Sequence, residues 1–279
     1  MHRRQFLGQL LSGLALACAP VGTTAMTTRM PSIFLAHGSP LLLDDAQWMA
    51  QLAGWAGKLP RPTAILVISA HWEQRPVSLS SPEPRALFYD FYGFPAKYYQ
   101  VRYASPAAGG LAKRVRELLG EVVVDSQRGL DHGAFVPLIA MYPQADIPVL
   151  QLSLPSSDPA SLIALGRRLA PLREEGVLLM GSGFLTHNMR TIDFSGRTPP
   201  PSWAADFDAW CAQTLARRDV DGMVNYKNAP GARISLPTQE HFLPVLVSLG
   251  ASVDHNEAAT FPIEGYTYGS FTKRSVAFG

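Results

Sequence analysis

Short apolar runs alternate with longer amphipathic ones along the chain. The runs at 32–36, 64–70, 77–80, 121–125, 148–153 and 177–182 predict strands, and the stretches 45–58, 106–119, 158–174 and 203–218 predict helices. Ser157-Asp158-Pro159 supplies a cap residue followed by proline in the first turn. Leu162, Leu165, Leu169 and Leu172 then repeat at helical spacing. Strands that are apolar on both faces and separated by helices imply a mostly parallel sheet covered on both sides. The closing stretch YGSFTKRSVAF alternates and predicts one more strand. The expected fold is α/β: a single domain with a central, mostly parallel (mixed) sheet flanked by helices. No internal repeat or low-complexity linker divides it, and Pro199-Pro200-Pro201 marks a loop.

Several of these strands end on histidine. SIFLAHGSP reaches His37, AILVISAHW reaches His71, and VLLMGSGFLTHN reaches His187 by a short glycine-containing turn. His132, in GLDHGAFVPLIAMYP, precedes a helix-like run, and His241, in LPTQEHFLPVLVSLG, opens another after Pro237-Thr238. In an open parallel sheet the carboxyl ends of the strands form the ligand-binding edge. Helix starts that follow strands face the same edge, so all five histidines are expected on one rim. Imidazole is the commonest metal ligand among side chains, and five on one rim point to a metal site. The remaining two, His2 and His255, fall in the amino-terminal segment and in a polar loop. Serine catalysis is the main competitor, through Ser39 in HGSP or Ser182 in GSG, but the chain has no G-x-S-x-G elbow. The absence of GxGxxG and of a phosphate loop removes support for nucleotide binding.

The first residues change the picture of the mature protein. HRRQFLGQLLSGLALACAP pairs Arg3 and Arg4 ahead of a short apolar stretch, the pattern of a twin-arginine export signal, with a cut expected after Ala25. Export to the periplasm follows from that reading. A start near Met26 or Met30, leaving the protein in the cytoplasm, is the alternative. Removal of residues 1–25 leaves 22 Lys and Arg against 22 Asp and Glu, a balance that offers nothing to nucleic acid or a charged membrane surface. Cys211 would then be the only cysteine, which excludes a disulfide framework and a CxxC metal site. No later stretch is apolar enough for an integral membrane span.

The motifs LAHGSP, SAHW, YDFYGFP, GLDHGAFVPLIAMYPQADIPVLQLSL, GSGFLTHN, PTQEHFLPVL and the closing FG occur in order between Met30 and Gly279. Together they resemble the class III extradiol ring-cleavage dioxygenases, in the branch of the 4,5-DOPA dioxygenases. The resemblance implies a catalytic domain over 30–279 that opens a substituted catechol with O₂ at a mononuclear non-haem metal centre. It implies His37, His71 and His241 as metal ligands, His187 as a fourth ligand or acid–base residue, and His132 in the pocket near substrate. Two departures bear on which catechol is taken: Phe184 stands where the family often has Asn, and YASPAAG replaces the usual YPAPG.

Fe(II) is the metal such chemistry calls for, and three neutral imidazoles also suit Zn(II), which does no redox chemistry. A zinc hydrolase and a non-catalytic metal- or ligand-binding member of the same superfamily are the rival readings. Glu240 adjoins His241, and neighbouring helical positions point about 100° apart, so one of the two is expected to face the metal. The resemblance favours His241. His187 suits proton transfer, since a histidine pKa is easily tuned near neutrality. In the aromatic stretch LFYDFYGFPAKYY, Tyr92 and Tyr98 are candidates to line a catechol pocket.

Overall fold

The computed structural model describes residues 29–279 of the chain. The expected amino-terminal signal, 1–25, lies outside the described residues. The strands are β1 (Ser32–Ala36), β2 (Ala64–Glu73), β3 (Ser78–Leu79), β4 (Val123–Val124), β5 (Val149–Leu154), β6 (Val177–Gly183), β7 (Ala259–Ile263), β8 (Tyr266–Thr267), β9 (Phe271–Thr272) and β10 (Ser275–Phe278). The helices are α1 (Ala46–Ala56), α2 (Gly109–Leu119), α3 (His132–Met141), α4 (Pro159–Leu169), α5 (Pro171–Glu174), α6 (Ser202–Ala216), α7 (Val220–Val224), α8 (Ala232–Ser235) and α9 (Leu243–Gly250).

Eight strands form one sheet in the order β4-β3-β5-β2-β6-β1-β10-β7, and β8 pairs with β9 apart from it. The central four, β5, β2, β6 and β1, are parallel. β10 joins β1 antiparallel, as the alternation at the carboxyl end predicts, and β7 adds the edge strand that the sequence reading lacked. β3 is antiparallel to β5, so the sheet is mixed.

Alternate residues of each central strand enter separate cores. Phe34, Leu66, Ile68 and Leu179 pack beneath α2, α4, α6 and α9. Ile33, Leu35, Ile65, Val67, Leu178 and Met180 pack against α1 and α3. Both faces of the sheet are therefore covered, which is why these strands read as continuous apolar runs.

Local signals account for most boundaries. Asp158 caps α4 by accepting from Ser161 N, with Pro159 in the first turn. The helix expected over 158–174 divides into α4 and α5 at Pro171, which lacks the amide proton that would continue the ladder. β2 runs past 70 to Glu73, and its register with β5 shifts between Ile68 and Glu73. His71 lies in this irregular stretch, where a bulge re-aims a side chain. Among the described residues, no helix is long and apolar enough to cross a membrane.

Candidate metal centre

β1, β2 and β6 run parallel, so their carboxyl ends share one edge of the sheet. His37 follows β1, His71 lies in the irregular end of β2, and His187 comes four residues after β6. His132 opens α3, whose cap Asp131 accepts from Ala134 N. His241 sits in the turn ahead of α9 and not within a helix, so the helical spacing argument for Glu240 and His241 does not apply. Gly183 brings that turn against β6: a Cβ there would meet His241 O at 2.0 Å, and Phe184 N donates to the same carbonyl at 2.9 Å.

The five rings lie together. The centroids of His37 and His71 are 4.9 Å apart, those of His37 and His241 5.3 Å, and those of His71 and His241 4.9 Å. His132 stands 4.0 Å from His71, and His187 stacks on His241 at 3.5 Å with the planes 8° apart. One ring nitrogen from each of His37, His71 and His241 falls within 4.8 Å of the other two. His255 lies in a separate 3-10 turn, Val253–His255.

Hydrogen bonds fix which nitrogens carry protons in His37, His132 and His241. Ser182 Oγ donates to the Gly133 carbonyl, so it accepts from His37 Nδ1 at 3.0 Å. Glu240 Oε1 accepts from His241 Nδ1 at 2.9 Å. Asp90 Oδ2 lies 3.4 Å from His71 Nδ1, while Asp90 Oδ1 accepts from His132 Nδ1 at 2.8 Å and from His132 N at 3.0 Å. A carboxylate only accepts. His37, His132 and His241 therefore hold their protons on Nδ1 and present an Nε2 lone pair, whereas Asp90 Oδ2 lies beside His71 Nδ1 without a hydrogen bond. His37 Nε2 and His71 Nε2 face each other at 3.1 Å. A cation beside both nitrogens fits this approach, since 3.1 Å matches the separation of two nitrogens sharing an ion at roughly 2.1 Å.

Burial keeps His37, His71, His187 and His241 neutral. His37 and His241 are held well below the ordinary histidine pKa, by burial first and then by neighbouring imidazoles. Burial and the His132 charge lower His71 to about 3. Burial lowers His187 to about 4. Burial pushes the Asp90 carboxyl up, but its bonds to His132 and the charges of His132 and His71 outweigh this and leave it below its usual value. Neutral imidazole is the form that ligates a metal. The donor set thus fits a divalent cation, with a carboxylate behind two of its three imidazoles.

Asp90 is the residue that sequence reasoning missed. It lies inside YDFYGFP, where the aromatic residues drew the attention, and only its contact with His132 and His71 reveals it. The two serines have supporting roles: Ser182 fixes the His37 tautomer, and Ser39 Oγ pairs with Tyr268 OH at 2.8 Å. Behind His71, Ser69 Oγ accepts from His71 N at 3.2 Å and donates to the buried Asp131 at 2.9 Å.

A cavity of about 290 Å³ opens onto the five histidines. Phe91 and Phe94 line it, whereas Tyr92 is 92% exposed and Tyr98 is buried against Asp44, so the stretch contributes its phenylalanines and not the expected tyrosines. Phe184 lines the cavity, and Tyr103–Gly109, the second departure from the family pattern, does not.

Comparison with known proteins agrees with this geometry. Residues 24–279 match the family described as the catalytic LigB subunit of aromatic ring-opening dioxygenase. The chain is 41% identical over 261 residues to a 4,5-DOPA dioxygenase extradiol of Escherichia coli K12, covering 91% of this chain and 96% of the relative. It is 42% identical over 243 residues to a 4,5-DOPA dioxygenase extradiol of Beta vulgaris, covering 81% of this chain and 88% of the relative. The crystal structure of an uncharacterized protein from Escherichia coli K12 superposes with a TM-score of 0.79 at 39% identity, over 90% of this chain and 100% of that one. The chain belongs to the LigB family, the class III extradiol, metal-dependent ring-opening dioxygenases.

Proposed function

We propose that this chain cleaves a catechol with O₂ at a single metal held by His37, His71 and His241. The observation that carries the assignment is the convergence of one ring nitrogen from each of His37, His71 and His241 within 4.8 Å of one another, with the Nε2 atoms of His37 and His71 3.1 Å apart. Ring spacing separates these three from His187. Two imidazoles that share an ion at roughly 2.1 Å, at right angles or wider, keep their ring centres about 4.5 Å or more apart. The three proposed ligands are spaced at 4.9–5.3 Å, and His187 lies only 3.5 Å from His241. This spacing supports His187 as an acid–base residue beside the centre rather than a fourth ligand, although its ring nitrogen also groups with Glu240 and His241 within 4.8 Å.

Fe(II), the metal proposed for activity, would be held by His37, His71 and His241 and would supply the redox chemistry that activates O₂ toward a catechol. Zinc fits the same nitrogens without redox chemistry, so a zinc-loaded chain is silent toward O₂. The protein's own part is positioning and proton transfer. Asp90 holds the His132 proton on Nδ1, which leaves His132 Nε2 free to take a proton from a catechol hydroxyl. Among the described residues the His187 ring has no hydrogen-bond partner, and it lines the cavity, so it can hold a second proton and return it to the product. Apolar walls exclude water from the reacting oxygens. Both atoms of O₂ enter the ring-opened hydroxymuconic semialdehyde, and no external reductant is needed.

Metal content and O₂ uptake test the assignment. His37→Ala, His71→Ala and His241→Ala should each lose metal and activity together, since an open site has few ligands to spare. His255→Ala should retain both. Full occupancy in both His37→Ala and His71→Ala would overturn the ligand set.

We also propose that residues 1–25 are a twin-arginine signal and that the catalytic domain, 30–279, works in the periplasm. Arg3 and Arg4 carry that reading. Arg3→Lys with Arg4→Lys should retain the protein in the cytoplasm. Wild-type protein found there, starting at Met30, would overturn it.

A further inference from the structure

Beyond its histidines, the cavity is apolar. Phe91, Phe94, Phe184, Met189, Phe194 and Phe271 line it. Among the described residues, no Lys, Arg, Asp or Glu lines it. Its one other polar feature, the Ser39 and Tyr268 hydroxyl pair, is satisfied internally at 2.8 Å. The carboxylates nearest the histidines, Asp90 and Glu240, are engaged behind the imidazoles. Cations in the surrounding sequence are committed elsewhere: Lys97 binds Asp44 at 2.5 Å, and Lys273 lies over the Trp48 ring. Arg190 neighbours Met189 in sequence but is exposed and does not line the cavity.

We propose that the substrate is a catechol whose ring substituent is uncharged and apolar, and not one carrying a zwitterionic amino-acid side chain. This rests on the catechol-cleaving reading above. A catechol with its two oxygens toward the histidines has its remaining ring edge among these walls. A carboxylate or ammonium on that edge loses water and gains no partner, which is unfavourable. An alkyl or aryl group there instead buries apolar surface, which is favourable in proportion to its area. The mouth continues the same surface: Met189 is 60% exposed and Phe194 67%. Large apolar side chains left open to solvent at the rim of a cavity mark a surface built to receive apolar matter.

The test compares 4-propylcatechol with L-DOPA, whose side chains have similar reach but differ in charge. Equilibrium binding to the metal-loaded full chain is measured without O₂, and kcat/KM for O₂ uptake is measured separately. The expected result is a preference for 4-propylcatechol of about tenfold or more in both. Met189→Arg and, separately, Phe194→Arg place a cation at the exposed mouth. At least one should raise the binding of L-DOPA relative to 4-propylcatechol by about tenfold, as a carboxylate gains a partner. L-DOPA bound as well as 4-propylcatechol, or better, by the wild type would overturn the proposal. So would a binding ratio unmoved by both variants. Absence of O₂ uptake with either catechol would contradict the dioxygenase reading alone, because the binding ratio would still decide the substituent.

Discussion

Asp90→Asn isolates the shared carboxylate. Asp90 Oδ1 accepts two bonds from His132, at 2.8 and 3.0 Å, and Oδ2 faces His71 Nδ1 at 3.4 Å. Asparagine keeps the shape but has one acceptor oxygen. Two donors on His132 compete for it, so the amide nitrogen is left facing His71 Nδ1. A donor there favours the tautomer with the proton on Nε2, which removes the lone pair directed at the centre. The bonds to His132 also become neutral, and hydrogen bonds to charged groups contribute about 1.5–3 kcal/mol against about 0.5–1.5 for neutral ones. Loss of a partner behind a ligating histidine typically weakens metal binding by roughly 10–100-fold. That is about 1.4–2.7 kcal/mol. Competition with a chelator of known affinity measures this directly, and the thermal midpoint of the metal-free protein separates it from unfolding. Unchanged metal affinity in a folded Asp90→Asn protein would refute the tautomer argument.

His187→Gln should keep its metal, while turnover falls by roughly 10²–10⁴, the usual contribution of a positioned acid–base group; loss of metal in a folded variant would make His187 a ligand after all. Gly183→Ala should push the His241 turn away from β6, because the new Cβ would meet His241 O at 2.0 Å. Overpacking of this kind costs about 1–3 kcal/mol, and metal content should fall with the thermal midpoint; a fully loaded, equally stable variant would show that the turn can move freely. The metal-free protein should lose stability as pH falls. His187 and His71 are lowered to about 4 and about 3 in the fold, against about 6.5 unfolded, so the unfolded chain binds more protons between those values. Their contribution is complete above about pH 6.5 and is lost on descending toward pH 4 and below, so a thermal midpoint flat from pH 7 to about pH 4 would contradict the buried, neutral assignment.

Much of this arrangement is legible in the order of residues, because apolar runs and strand ends are local features. β1 and α1 fall where periodicity puts them, and the ends of β1, β2 and β6 place His37, His71 and His187 on one edge. His132 and His241 follow from helix starts that face that edge. The parts that are not legible depend on contacts between distant segments. Asp90 is 42 residues from His132 in the chain, and nothing in YDFYGFP distinguishes its carboxylate from an exposed one. The role of Ser182 depends on His37, 145 residues away, and on the Gly133 carbonyl. Tyr92 and Tyr98 failed as pocket residues because an irregular segment has no period from which to read direction. Phe91 and Phe94 turn inward instead. β7 is half exposed, so it lacks the continuous apolar run that marks a central strand.

The central claim is that three neutral histidines hold a metal at which this chain joins O₂ to a catechol. Iron-loaded full-length protein, given 4-propylcatechol and isotopically labelled O₂, tests it most directly by O₂ uptake and mass analysis of the product. One O₂ should be consumed per catechol and one labelled oxygen should appear in the new carboxylate, with both signals lost in His37→Ala and retained in His255→Ala. An iron-loaded protein that leaves the catechol intact and consumes no O₂, or a product whose new carboxylate takes its oxygen from water, would contradict it.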